Sequence, residues 1–198
     1  VEIVIASKNW GKIEEITGFD GNCSKVKWLT FKDFDNFPSV DEVGRSFLDN
    51  AIIKAKAIAD FTGKATLADD SGLIVDALGG RPGVHSSRYA GPGASDKENR
   101  DKLLDEIKHV KEADKRSARF VCSMVLYDYP KGIIFKTEGV CEGRIGFEEK
   151  GSGGFGYDCI FIPEGYKKTM AELDSREKNA ISHRGRALLD FCHFIVKK

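Results

Sequence analysis

SARFVCSMVLYDY, Ser117–Tyr129, and GIIFKTEGVCEGRI, Gly132–Ile145, are two long β-rich runs joined by the Pro130 to Gly132 turn. Branched and aromatic residues dominate both, and the spacing predicts a long antiparallel pair. Upstream the pattern alternates strand with helix. VEIVIAS opens as a strand, KNWG turns into the short helix GKIEEITGF with Ile13 and Ile16 inward, and KVKWLTF reads as a second strand. After the irregular acidic stretch DFDNFPSVDEVG, Phe47, Ala51, Ala55, Ile58 and Ala59 recur at helical spacing from Ser46 to about Phe61, with Gly63 as the stop. KATLADDSG reads as a short strand ending in two carboxylates, with GLIVDAL and a glycine-rich loop from Gly79 to Gly93 beyond it. Ser95 and Glu98 form a capping box for a helix running to about Val110. Downstream of the hairpin, GSGGFGYDCIFIP joins a glycine loop to a buried strand, and Asp174 with Glu177 caps one final helix carrying Ile181, Leu188, Cys192 and Ile195 inward. Parallel-type units early and a hairpin late imply an α/β (mixed α+β) fold, a mixed sheet covered by helices, in a single domain over residues 1–198.

Composition narrows the function classes. Lysine plus arginine equals aspartate plus glutamate at 31 each, so no global charge favours a nucleic-acid partner. Hydrophobic residues make up 41% of the chain and no apolar run approaches the ~18 residues of a membrane span, so no membrane partner is expected either. The first residues show no basic region followed by a long apolar stretch, and the cytoplasm is the expected compartment. The five cysteines are scattered and never spaced as CxxC, which predicts buried free thiols rather than a disulfide scaffold or a zinc site. Abundant charge and the absence of glutamine hint at a thermophilic source.

Four constellations could carry chemistry. In SKNWGKIEE, Ser7, Asn9 and Lys12 lie where a strand meets a helix N-terminus, which favours an anion, although many such turns only connect. Glu42, Asp69 and Asp70, with Asp49 as a further candidate, could supply oxygen ligands to magnesium; a solvated turn would also account for an Asp-Asp pair. In SGGFGYD, the glycines permit close backbone approach, Phe155 and Tyr157 offer faces for a base, and Asp158 can accept from a ring N–H; an ordinary glycine-aromatic turn explains it equally. In EKNAISHRGRA, Lys178 and Ser182 share a helical face, and His183 and Arg184 follow.

Taken together, SxNxxKxxE (Ser7–Glu15), EVGRSFLDNAIIKA (42–55), ADDSGL (68–73), RPGVHSSRYAG (81–91), GGFGYD (153–158) and KNAISHR (178–184) closely resemble, over nearly the whole chain, the inosine/xanthosine triphosphate pyrophosphatase family, also called Ham1-like. The resemblance implies an elongated mixed β-sheet with two α/β lobes and a central nucleotide cleft, a homodimer, and Mg2+-dependent hydrolysis of abnormal purine nucleoside triphosphates (ITP, dITP, XTP) to the monophosphate and pyrophosphate. By motif matching, Ser7, Lys8, Asn9, Trp10, Gly11 and Lys12 correspond to the triphosphate loop. Glu42 and Asp70 correspond to the metal ligands, with Asp70 also the proton acceptor. Ser71 and Lys178 match substrate-binding positions, and Phe155, Gly156, Tyr157, Asp158, His183 and Arg184 match the base-recognition residues.

Arg184 and His183 are the donors expected to favour a 6-oxo purine over adenine. Two positions depart from the family pattern: Cys159 replaces the usual proline after GYD, and Asp49 replaces glutamate before Asn-Ala. The competing readings are a nucleotide-binding sensor without turnover, and a septum-inhibitor-type pyrophosphatase acting on modified pyrimidines.

Overall fold

The computed structural model describes residues 1–20, 23 and 25–197. In chain order the elements are β1 (Glu2–Ile5), α1 (Trp10–Thr17), β2 (Lys27–Leu29), α2 (Phe47–Thr62), β3 (Thr66–Val75), α3 (Asp96–Glu106), β4 (Ser117–Asp128), β5 (Gly132–Ile145), β6 (Phe161–Pro163), α4 (Ser175–Ile181) and α5 (His183–Val196). The strands form one six-stranded sheet in the order β2-β1-β3-β4-β5-β6. β1 runs parallel to β2 and to β3, with Val4 opposite Leu29 and Thr66, whereas β5 and β6 are antiparallel, with Ile145 opposite Phe161. The connection from Asp128 to Gly132 is too short for anything but an antiparallel β4–β5 pair. The sheet is therefore mixed, as the hairpin and the early strand-helix units imply.

Chain contacts divide the protein into two compact units. Unit 1 comprises Val1–Asp70, Cys122–Gly139 and Arg184–Lys198; unit 2 comprises Ser71–Val121 and Val140–His183. Within unit 1, alternation along the strands sends residues to two cores. Ile3, Ile5, Leu67, Cys122 and Met124 pack with Ile13, Ile16, Leu188 and Phe191 of α1 and α5. Val4, Ala6, Ala68 and Val125 pack with Ala51, Ala55 and Ile58 of α2. Within unit 2, Leu73 and Val75 join Leu103, Ile107, Phe120, Ile145, Ile160 and Phe161.

The helix ends follow the residue types read from the sequence. Ser46 Oγ accepts from the N–H of Asp49 to open α2, and Gly63 closes it in the left-handed region at φ 64°. Ser95 and Glu98 form the expected capping box of α3.

Three expectations are corrected. The strand expected to end at Asp69 and Asp70 continues through them to Val75, because β3 is flanked by β1 and β4 and Leu73-Ile74-Val75 sustain the extended backbone. The single final helix is two: Ser182, at φ −68° and ψ 156°, is extended, so α4 stops there and α5 starts at His183. Serine favours such a helix boundary over a helix interior. Cys23 and Cys192 are joined in a disulfide across 169 residues, leaving Cys122, Cys141 and Cys159 free. Both partners pack against the α1/α5 core, a proximity that no local spacing encodes. Among the described residues, no helix is long and apolar enough to cross a membrane.

Candidate active site

Asp69 and Asp70 are consecutive on β3, so their side chains leave opposite faces of the strand. Both are buried, and the two faces treat them differently. Asp69 Oδ2 lies 3.1 Å from Lys12 Nζ and accepts from Arg184 Nε at 3.2 Å and NH2 at 2.9 Å. The NH1 of Arg184 donates to Glu15. Burial alone would push the Asp69 carboxyl up, but the cations of Lys12, Arg184 and Lys54 outweigh it and hold the group far below the usual carboxylate range. Asp69 is thus a fixed anion, and its role is to hold two cations in place.

Asp70 faces α2. Its Oδ1 accepts from Lys54 Nζ at 3.1 Å and its Oδ2 from Asn50 Nδ2 at 3.0 Å, while the same Lys54 Nζ donates to Glu42 Oε1 at 2.7 Å. Burial, reinforced by the charge of Glu42, pushes the Asp70 carboxyl above its ordinary value despite Lys54, Lys12 and Asn50. Burial pulls the Lys54 ammonium down, and the charges of Asp70, Asp69 and Glu42 more than reverse that. Two neighbouring carboxyl groups are therefore driven apart in proton affinity, the pattern expected where one side chain is structural and the other is poised to take a proton.

The strand-to-helix connection beside them is capped by Asn9, whose Oδ1 accepts from the N–H of Lys12 at 3.2 Å, while its own N–H donates to Ser7 Oγ at 3.1 Å. The opening turn of α1 presents the positive end of the helix dipole to the connection, a setting for phosphate oxygens. Lys8 Nζ donates to Ser39 Oγ at 3.1 Å, and the exposed ring of Trp10 packs edge-on to Phe31, at 5.2 Å, with Lys32 over it. Gly11 lies in the first turn of the helix.

Unit 2 holds the glycine loop. Asp158 Oδ2 accepts from the N–H of Phe155 at 2.9 Å and from Lys178 Nζ at 2.7 Å, and Lys178 lies 5.2 Å from the Phe155 ring centre. This fold-back explains Gly154: at φ 69°, a Cβ there would sit 2.1 Å from Asp158 Oδ2. Tyr157 is buried in the core and its hydroxyl donates to the Ser86 carbonyl at 2.7 Å, so its ring serves packing, and Phe155 is the aromatic face the loop presents. His183 is buried and stacks on Phe120 at 4.7 Å. Ser71 follows Asp70 on β3 and is partly exposed.

The structure therefore gathers Lys12, Glu42, Asp70 and Arg184 in unit 1, and Phe155, Gly156, Tyr157, Asp158 and Lys178 in unit 2. His183 and Arg184, adjacent in the chain, belong to different units, and the nitrogens of Arg184 described above all donate to carboxylates. Asp49 lies in the first turn of α2, its N–H donating to Ser46 Oγ. Among the described residues, no three His, Cys, Asp or Glu side chains converge as a ready metal cage.

Sequence reasoning assigned no role to Asn50, Lys54 or Glu15. The signal was present for the first two: Asn50 and Lys54 occupy the same 3–4-residue stripe as Phe47, Ala51, Ala55 and Ile58, and all of these are buried. A polar residue on a core-facing stripe needs a buried partner, and here that partner is Asp70.

The Ham1 family model matches residues 3–194. The chain belongs to the Ham1 family. Among relatives of this Ham1 protein, the dITP/XTP pyrophosphatase of Desulforamulus reducens is 48% identical over 188 residues, covering 95% of this chain and 92% of the relative. That of Bacillus cereus is 47% identical over 192 residues, covering 94% and 91%. The HAM1 protein of Coxiella burnetii has a similar structure, with a TM-score of 0.88 at 42% identity over 100% of both chains. The Staphylococcus aureus Ham1 protein follows with a TM-score of 0.86 at 37% identity, over 100% of this chain and 99% of that one. The family and the mixed α/β fold expected from the ordered motifs are both found.

Proposed function

We propose that this protein hydrolyses abnormal purine nucleoside triphosphates, dITP and XTP among them, to the nucleoside monophosphate and pyrophosphate. The carrying observation is the division of labour between Asp69 and Asp70, set beside a helix N-terminus and Lys12. Relatives named dITP/XTP pyrophosphatase, matched over nearly their whole length, support the same reading.

Lys12 and the first turn of α1 bind phosphate oxygens, with Asp69 holding Lys12 in position. Asp70 accepts a proton from water as the water oxygen bonds to the α-phosphorus. The bond from that phosphorus to the oxygen bridging α and β breaks, and pyrophosphate departs with the electron pair. Lys54 and Asn50, one on each oxygen of Asp70, keep the carboxylate oriented. Glu42 and Asp70 both reach one ammonium group, and two carboxylates suit a divalent oxygen-seeking cation such as Mg2+ when phosphates complete its shell. Bound there, the cation supplies neutralisation of triphosphate charge. Phe155 offers a stacking face for the base, with Asp158 and Lys178 beside it; Gly156 and His183 are assigned to the base with them, and the assembly is read as a homodimer.

Incubation with dITP and Mg2+ should yield dIMP and pyrophosphate. Deoxyinosine diphosphate with orthophosphate would place the attack at the γ-phosphorus and sink the reading, and no turnover at all would favour a sensor.

A further inference from the structure

The glycine loop of unit 2 has a rigidity problem. Gly151, Gly153, Gly154 and Gly156 fall within six residues, and glycine loses more backbone freedom on ordering than any other residue. A loop that is to position an aromatic ring against a base must be ordered before substrate arrives, or binding free energy is consumed in ordering it. One end is ordered from within, by Asp158 on the N–H of Phe155. Gly156 is held from outside. Asp96 Oδ2 accepts from the Gly156 N–H at 2.7 Å, and Arg100 NH1 donates to the Gly156 carbonyl at 2.8 Å. Asp96 and Arg100 are four residues apart on α3, so they share one helical face and grip the two peptide groups of a single residue.

The grip is itself braced. Arg100 Nε and NH2 donate to the two oxygens of Glu149 at 3.1 and 3.3 Å, which fixes the plane of the guanidinium and ties it to the chain just ahead of the loop. Gly156 needs the restraint: it lies at φ 61°, with nothing within 4 Å of where a Cβ would stand, so no side-chain packing locates it. With the N–H groups of Phe155 and Gly156 both given to carboxylates, the ring of Phe155 is what the loop offers, and its placement follows from where Gly156 is held.

We propose that Asp96 and Arg100 are positioning residues for base binding: α3 clamps Gly156 so that Phe155 is preset for the purine. This rests on the pyrophosphatase reading above. The capping box of α3 uses Ser95 and Glu98, so replacing Asp96 leaves the helix start intact.

The test measures KM and kcat for dITP in the wild type, Asp96→Ala, Asp96→Asn, Arg100→Ala and Arg100→Lys, with thermal melting as the folding control. Asp96→Ala and Arg100→Ala should each raise KM about tenfold, of the order expected for a lost hydrogen bond to a charged group, with kcat near that of the wild type. Asp96→Asn keeps an oxygen acceptor and should restore KM. Arg100→Lys, without the planar fork, should not. An unchanged KM in both alanine variants, whatever their melting temperatures or kcat, would overturn the clamp while leaving the pyrophosphatase reading standing. A wild type that does not hydrolyse dITP would overturn the pyrophosphatase reading and the positioning role with it.

Discussion

Asp69 and Asp70 show how much a one-residue step along a strand decides. The two carboxyls are identical in chemistry and adjacent in sequence, yet one meets Lys12 and Arg184 and the other meets Lys54, Asn50 and, beyond them, Glu42. Asp70→Asn keeps the shape and removes a charge whose burial is unfavourable, but its NH2 must face either Lys54 Nζ or Asn50 Nδ2, both donors, so a fall in melting temperature corresponding to about 1–3 kcal/mol is expected. It should lower kcat by about 10²–10⁴-fold, the usual contribution of a general base. Asp69→Asn should do the reverse in emphasis. It strips one of the two counter-charges, Glu15 being the other, from a fully buried guanidinium, and breaking such a pair typically costs ~3–5 kcal/mol, read as a large drop in melting temperature. If Asp70→Asn turned over dITP near the wild-type rate, the water would need another base. The acidic pair was legible as a candidate, and the family resemblance singled out Asp70; the cations opposite each face, which set the two carboxyls apart, were not legible.

At the level of elements, the helix starts were readable because capping is local. Ser46, Ser95 and Asp174 each sit three residues before the N–H they accept from, a relation the sequence carries in full. The extent of β3 and the break at Ser182 were not, since strand length answers to neighbouring strands and a helix break answers to packing on both sides. The glycine loop lies between these cases: its composition marks a turn, but the reason for each glycine is tertiary. Gly154→Ala should therefore abolish activity on dITP, because its Cβ would occupy the place of the Asp158 carboxylate and lie 2.9 Å from Lys178 Nζ. Gly63→Ala is also left-handed, at φ 64°, but has open space around it. It should cost only the ~1–2 kcal/mol of left-handed backbone and leave kcat/KM intact. Equal effects of the two on activity would contradict the close packing assigned to the loop.

Across the whole molecule, Arg184 ties together elements that are far apart in the chain: Glu15 on α1, Asp69 on β3 and its own place near the start of α5. Arg184→Ala should therefore lower stability by ~3–5 kcal/mol, the cost of opening a buried charge pair. It should reduce dITP and dATP hydrolysis alike, because Asp69, which also holds Lys12, loses one of its two cationic partners. Arg184→Lys should not rescue it, since one ammonium cannot replace a planar fork. A selective loss of dITP hydrolysis with an unchanged melting temperature would instead restore Arg184 to the base edge. The Cys23–Cys192 disulfide has the same long-range character. By itself the sequence determined the mixed α/β class, the hairpin, the helix caps, the family and the short list of polar residues at strand ends and loops, because periodicity, capping and ordered motifs are local or linear properties. The tertiary structure alone decided which of those residues meet: that Lys54 faces Asp70, that Arg184 turns inward to Asp69, and that α3 grips Gly156. Burial and pairing of charge depend on what lies across the fold, and no window of sequence contains both partners.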